Sequence, residues 1–106
     1  MIISTADKIP GKEISEILGI VKGNTIRARN IGRDILAVFK NIIGGEIEEY
    51  TKLMAEAREQ ALDRMKQMAN ELGADAIINV RFATSYIMAN AAEILVYGTA
   101  VKLKNK

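Results

Sequence analysis

The stretch that decides the fold is Asn90–Leu103, NAAEILVYGTAVKL, which opens on small residues, admits one carboxylate at Glu93, and then runs almost unbroken in apolar residues. Read with the two-residue period of a strand, it places Ile94, Val96, Gly98 and Ala100 on one face. Leu95, Tyr97, Thr99, Val101 and Leu103 fall on the other. Both faces are apolar, so the strand from Ala91 to Leu103 needs cover on both sides.

Immediately upstream, Ala74–Ile87 (ADAIINVRFATSYI) alternates, with Ile78, Val80, Phe82 and Thr84 on one face and Asn79, Arg81 and Ala83 on the other. Met88–Asn90 is short enough to turn this strand into the last one as a hairpin. Before it, the apolar positions Ile47, Tyr50, Met54, Ala57, Ala61, Met65, Met68 and Leu72 recur every three or four residues, which predicts a helix from Gly45 to Leu72. Glu46, Glu48 and Glu49 complement the dipole in its first turn, and Gly73 supplies the stop. At 1.5 Å per residue that helix is roughly 40 Å long.

In the first third, Glu13–Arg29 reads as one long strand, bent near Gly19 or Gly23. Ile31, Ile35, Leu36, Phe39, Ile42 and Ile43 give a second, shorter helix over Ile31–Ile43, ended by Gly44-Gly45. The order strand, helix, helix, strand, strand predicts an α+β domain. Its sheet is three-stranded and antiparallel, built on a split β-α-β unit with the last strand between the other two.

With 106 residues, 49% hydrophobic and 26% charged, the chain is expected to form one domain over residues 1–106. One long helix covers one face of the sheet. Leu95, Tyr97, Val101 and Leu103 on the other face are then expected to meet a neighbouring subunit. No apolar run approaches the roughly 20 residues of a membrane span. The amino-terminal MIISTADK lacks the pattern of a signal peptide, so the expected location is cytoplasmic, with no membrane partner.

Seven segments carry a resemblance to a known family: PGKEI (10–14), GIVKG (19–23), ARNIGRD (28–34), GGEIEEY (44–50), AREQALDRM (57–65), LGADAI (72–77) and YGTAV (97–101). In this order and spacing they resemble the YbjQ-like family, labelled as heavy-metal-binding. The resemblance implies a dodecin-like subunit with a three-stranded antiparallel sheet, assembled into a pentameric ring with supplementary short strands at the interfaces. It supplies the number five, which the residues alone do not, and it brings no ligand set and no established activity.

The inventory for chemistry is thin. The chain has no histidine and no cysteine, the donors that soft and borderline metals favour. Glu46 and Glu49, three apart on one helix face, are the weak candidate ligands for a hard cation gathered around a ring axis, and dipole complementation in the first turn is the favoured account of them. Arg27, Arg29 and Arg33 are the candidate anion-binding cluster, with Asp34 as a local partner and strand alternation explaining the first two as solvent-facing. Lys102, Lys104 and Lys106 read as a solvated, edge-protecting tail. No nucleophile–base pairing, phosphate loop or dinucleotide fingerprint stands out, no cofactor is evident, and no nucleic-acid motif is present.

The sequence therefore points to a non-enzymatic, ring-forming structural or ligand-binding protein whose partner is itself. A metal-ion-binding protein using interface carboxylates and an enzyme with an interface active site are the alternatives.

Overall fold

The structure is a computed structural model that describes residues 1–28, 47–88 and 91–106. Its elements are β1 (Ile2–Ile3), β2 (Lys12–Ala28), α1 (Ile47–Glu71), β3 (Ala76–Met88) and β4 (Ala91–Asn105). The expected short helix Ile31–Ile43 lies outside the described residues. β4 pairs antiparallel with β2 on one side and with β3 on the other, so the apolar strand is central, as its two-faced pattern requires. β2 and β3 therefore run parallel, separated by β4 and joined in sequence through α1, which is the split β-α-β arrangement.

Among the described residues the sheet has four strands rather than the expected three, in the order β1-β3-β4-β2, and it is mixed, because Ile2 and Ile3 pair parallel with Ala76 and Ile77. Two residues are too few to show a strand period. What makes them a strand is the unpaired edge of β3: Ser4 N–H donates to Ile77 O at 2.9 Å, and Val80 N–H to Ser4 O at 3.0 Å.

α1 packs over β2 and β4. The side it presents is the small stripe Ala57, Ala61, Met65 and Ala69, each fully buried against Val21, Ile77, Val80, Ile94, Val96 and Ala100. Met68 and Leu72, expected on the inner stripe, are over a third exposed. With alanine facing the sheet, helix and strand approach backbone to backbone. The buried Thr25 uses its hydroxyl to donate to Ala57 O at 3.2 Å.

The helix stops as its sequence predicts. Gly73 adopts φ 76°, Ala74 N–H donates to Ala69 O, and Gly73 N–H donates to Asn70 O, both at 3.0 Å. These two bonds form a Schellman motif around a glycine in the left-handed region. α1 has no basic residue in its last turn. Instead Lys102 of β4 lies over Gly73, where a Cβ built on the glycine would be 3.9 Å from the ammonium. A cation at that place complements the negative end of the helix dipole.

Two departures from strand alternation set the faces of the sheet. In β3, Ile78 pairs with Thr99 and Arg81 with Tyr97, so Asn79 and Val80 together oppose Gly98. This is a β-bulge, with Asn79 at φ 53°. The extra residue moves Ile78 to the face opposite Val80, correcting the expectation that Ile78, Val80 and Phe82 share one side: Ile77 and Val80 join the helix-side core, and Ile78 joins a second cluster with Ala76 and Val101. In β2 the register shifts at Ser15 and at Leu18, and Gly19 takes φ 129°. Gly23, the other expected bend, is instead the point of closest approach to α1.

Candidate functional site: the sheet face opposite the helix

Because β1 lies on the β3 edge and β2 begins the opposite edge, the connection between them has to cross the sheet. It crosses on the side away from α1, where Ile9 and Leu103 pack on Ala76, Ile78 and Val101. Lys12 N–H donating to Ile9 O at 3.1 Å closes the turn into β2. One end of the second apolar face is thus covered by the chain itself.

This corrects the interface expectation at one residue. Val101 is fully buried within the chain. Leu95 and Leu103 are half-buried, and Tyr97 is 40% exposed. Cross-strand pairing extends the surface onto β2 in rows: Ile20–Thr99–Ile78, Lys22–Tyr97–Arg81, Asn24–Leu95–Ala83 and Ile26–Glu93–Ser85. Ile17, opposite Val101, is 69% exposed, Ile20 is 73% exposed and Ile26 is 56% exposed.

These three isoleucines were not among the expected interface residues. Ile17 and Ile20 are three apart, which in an unbroken strand puts them on opposite faces. The shift at Leu18–Gly19 turns Leu18 inward to the core and leaves both isoleucines on the outer face. The glycine at position 19 is the only local sign of this in the sequence. On the helix side, Phe82 pairs with Val96 but lies on β3, beyond the strands that α1 covers, and is 48% exposed.

The polar candidates fall elsewhere. Arg29, Arg33 and Glu46 lie outside the described residues; Glu49 belongs to the first turn of α1 and Arg27 to β2, opposite Ala92, by their backbones, and their side chains lie outside them too. Lys102 and Lys104 are exposed, as expected, but belong to β4 itself rather than to a tail beyond it: they stand opposite Glu16 and Glu13, where β4 extends past its pairing with β3, and Lys104 pairs with Glu13 at 3.6 Å.

An open cleft of about 380 Å³ is lined by Ile2, Lys12, Asp75, Leu103, Lys104 and Asn105. Its polar groups already have partners, since Asp75 accepts from Leu103 N–H at 2.8 Å and Lys12 donates to the Asn105 amide oxygen. Among the described residues, no three of Asp and Glu come together as a metal-binding group. No described helix is long and apolar enough to cross a membrane.

Among the described residues the architecture is that of a small α+β domain, one helix against a mixed four-stranded sheet, with exposed apolar side chains on the opposite sheet face. The chain belongs to the YbjQ family, whose model matches residues 1–104 and is described as "Putative heavy-metal-binding". It is 60% identical over 106 residues to a UPF0145 protein of Thermosipho melanesiensis, covering 100% of this chain and 98% of the relative. It is 59% identical over 104 residues to a UPF0145 protein of Archaeoglobus fulgidus, covering 98% and 96%. Neither name states an activity. A crystal structure of a protein of unknown function from Pediococcus pentosaceus, assigned to the DUF74 family, superposes with a TM-score of 0.60 at 19% identity over 98% of both chains. At that identity the likeness speaks for the fold alone.

The family description raises a heavy-metal site, and the donor set of this chain does not fit one of the ordinary kind. Thiolate and imidazole are absent from the whole sequence, so a soft ion would be left with oxygen donors, lysine amines and methionine thioethers.

Proposed function

We propose that this chain is a single-domain, dodecin-like subunit, with an added edge strand, of a homo-oligomeric ring. On this reading five copies assemble, the number that the family resemblance implies, and the ring is a non-enzymatic structural or ligand-binding module of the cytoplasm. It has no membrane or nucleic-acid partner. Neighbouring copies dock on the strip formed by Ile17, Ile20, Ile26, Leu95 and Tyr97, with Leu103 at its covered end.

The observation that supports this reading is the exposure of Ile17 and Ile20, which β2 turns outward at a bulge although its own core makes no use of them. Withdrawing such side chains from water is worth roughly 1–2 kcal/mol each, and a contiguous strip of them is uncommon on a monomer. The test is sedimentation velocity at micromolar concentration combined with native mass spectrometry of protein from its own cells. A pentamer is the expected result; a monomer at that concentration sinks the proposal.

The family description favours a second reading, a ring that holds a metal ion. Its ligands here would be carboxylates, with Glu46 and Glu49 as the candidates, and the ion would be a hard one. Elemental analysis of the same native preparation decides it: stoichiometric metal supports this reading, and metal-free rings refute it.

A further inference from the structure

The outer edge of β2 is unpaired in the described sheet, and β2 is 17 residues long. Such an edge is a template on which a further strand can form its ladder, and folded proteins carry devices that prevent this. Toward the start of β2 the two register shifts supply one, since a bulged strand is a poor template. From Ile20 to Ala28, however, the strand pairs with Thr99–Ala91 without any break. This is the stretch of the edge on which regular addition is geometrically easy.

Among the described residues, a side chain from outside the sheet engages the backbone there. Arg64 of α1 donates from Nη1 to the carbonyl oxygen of Asn24, in a hydrogen bond open to solvent. The Asn24 side chain meanwhile donates to Glu93 at 3.2 Å. The opposite edge is covered differently, by the chain's own backbone. The amino-terminal segment covers β3 as far as Val80, and there Arg81 donates to Thr5 O at 3.0 Å.

We propose that Arg64 guards the regular part of the β2 edge against pairing with the β2 strand of a second copy of this chain. It occupies a backbone acceptor and holds a guanidinium stem and charge across the strip where the added strand would lie. Pairing of β2 with β2 of a second copy, and the open-ended edge-to-edge growth it would start, are thereby suppressed. The guard does not depend on the ring being a pentamer.

The test uses the full chain carrying Arg64→Met, which keeps the length and helix propensity of the side chain and removes its donors and charge. Arg58→Met, which removes the same charge from an exposed position on the same helix, is the control. The probe is a labelled synthetic peptide of residues 20–28, IVKGNTIRA, followed by fluorescence anisotropy, alongside the fraction of protein that sediments on standing. The expected result is that Arg64→Met binds the peptide at least tenfold more tightly than the wild type and sediments more, while Arg58→Met behaves as the wild type. Unchanged binding in Arg64→Met overturns the proposal, and so does an equal gain in both variants, which would make the effect one of net charge. Arg64 is exposed, so the variant is expected to fold, and circular dichroism checks that. If Arg64→Met does not fold, Arg64→Gln, which keeps a single amide donor, takes its place under the same two criteria.

Discussion

Gly23 of β2 lies directly against the carbonyl oxygen of Ala61 in α1: a Cβ on the glycine would fall 2.0 Å from that oxygen and 2.6 Å from the Met65 nitrogen. Both obstacles are helix backbone and cannot swing aside. Gly23→Ala must push α1 off the sheet, opening the contacts of Ala57, Ala61 and Met65 together. The expected loss is about 3 kcal/mol or more, at the upper end of what overpacking costs. Urea unfolding measures it, and a loss below about 1 kcal/mol would show that the helix can ride outward freely.

Asn79 sits at φ 53° in the β3 bulge. Asparagine tolerates that region better than other residues with a side chain, and a β-branched residue tolerates it poorly. Asn79→Gly is therefore expected to stay within about 0.5 kcal/mol of the wild type, whereas Asn79→Val loses about 1–3 kcal/mol. Thermal melts of the two variants side by side give the comparison, and equal melting temperatures would contradict the strain.

Val101 and Ile20 separate folding from assembly. Val101 is sealed beneath Ile9 and Leu103, so Val101→Asp buries an unpartnered charge and is expected to unfold the subunit. Ile20 is exposed in the single chain, so Ile20→Asp is expected to leave helix content intact while raising the dissociation constant of the oligomer at least tenfold, which is about 1.4 kcal/mol. Circular dichroism together with sedimentation reads both effects, and an intact oligomer with Asp at position 20 would remove that residue from the interface.

Lys102 supplies the cation that the last turn of α1 lacks. Replacing it with Glu sets a negative charge beside the negative helix end. The expected cost is below about 1 kcal/mol, because the site is exposed, and it shrinks as salt is added. A cost unaffected by salt would point to lost packing of the lysine stem instead.

The helix, its glycine stop and the two-faced central strand were legible because each depends on neighbours within a few residues. The period of Ala57, Ala61, Met65 and Ala69 and the left-handed turn at Gly73 are local properties, and NAAEILVYGTAVKL carries its demand for two layers in its own pattern. β1 was not legible, since Ile2 and Ile3 become a strand only when the edge of β3 is there to pair with them. The face of Ile78 was misread, and the outward faces of Ile17 and Ile20 were missed, for a related reason. A bulge is set by the pairing of two strands distant in sequence, and one inserted residue reverses every side chain beyond it.

By itself, then, the sequence determined that this chain has an α+β fold with an apolar central strand covered by a helix on one side, and its ordered motifs placed it in its family. Only the tertiary structure decided what lies on the other side: the segment carrying Ile9 seals Val101 and Ile78, and β2 turns Ile17 and Ile20 outward beside Tyr97. Local periodicity records how a residue relates to its neighbours along the chain, whereas cover and exposure depend on which distant segment comes to lie on top of it.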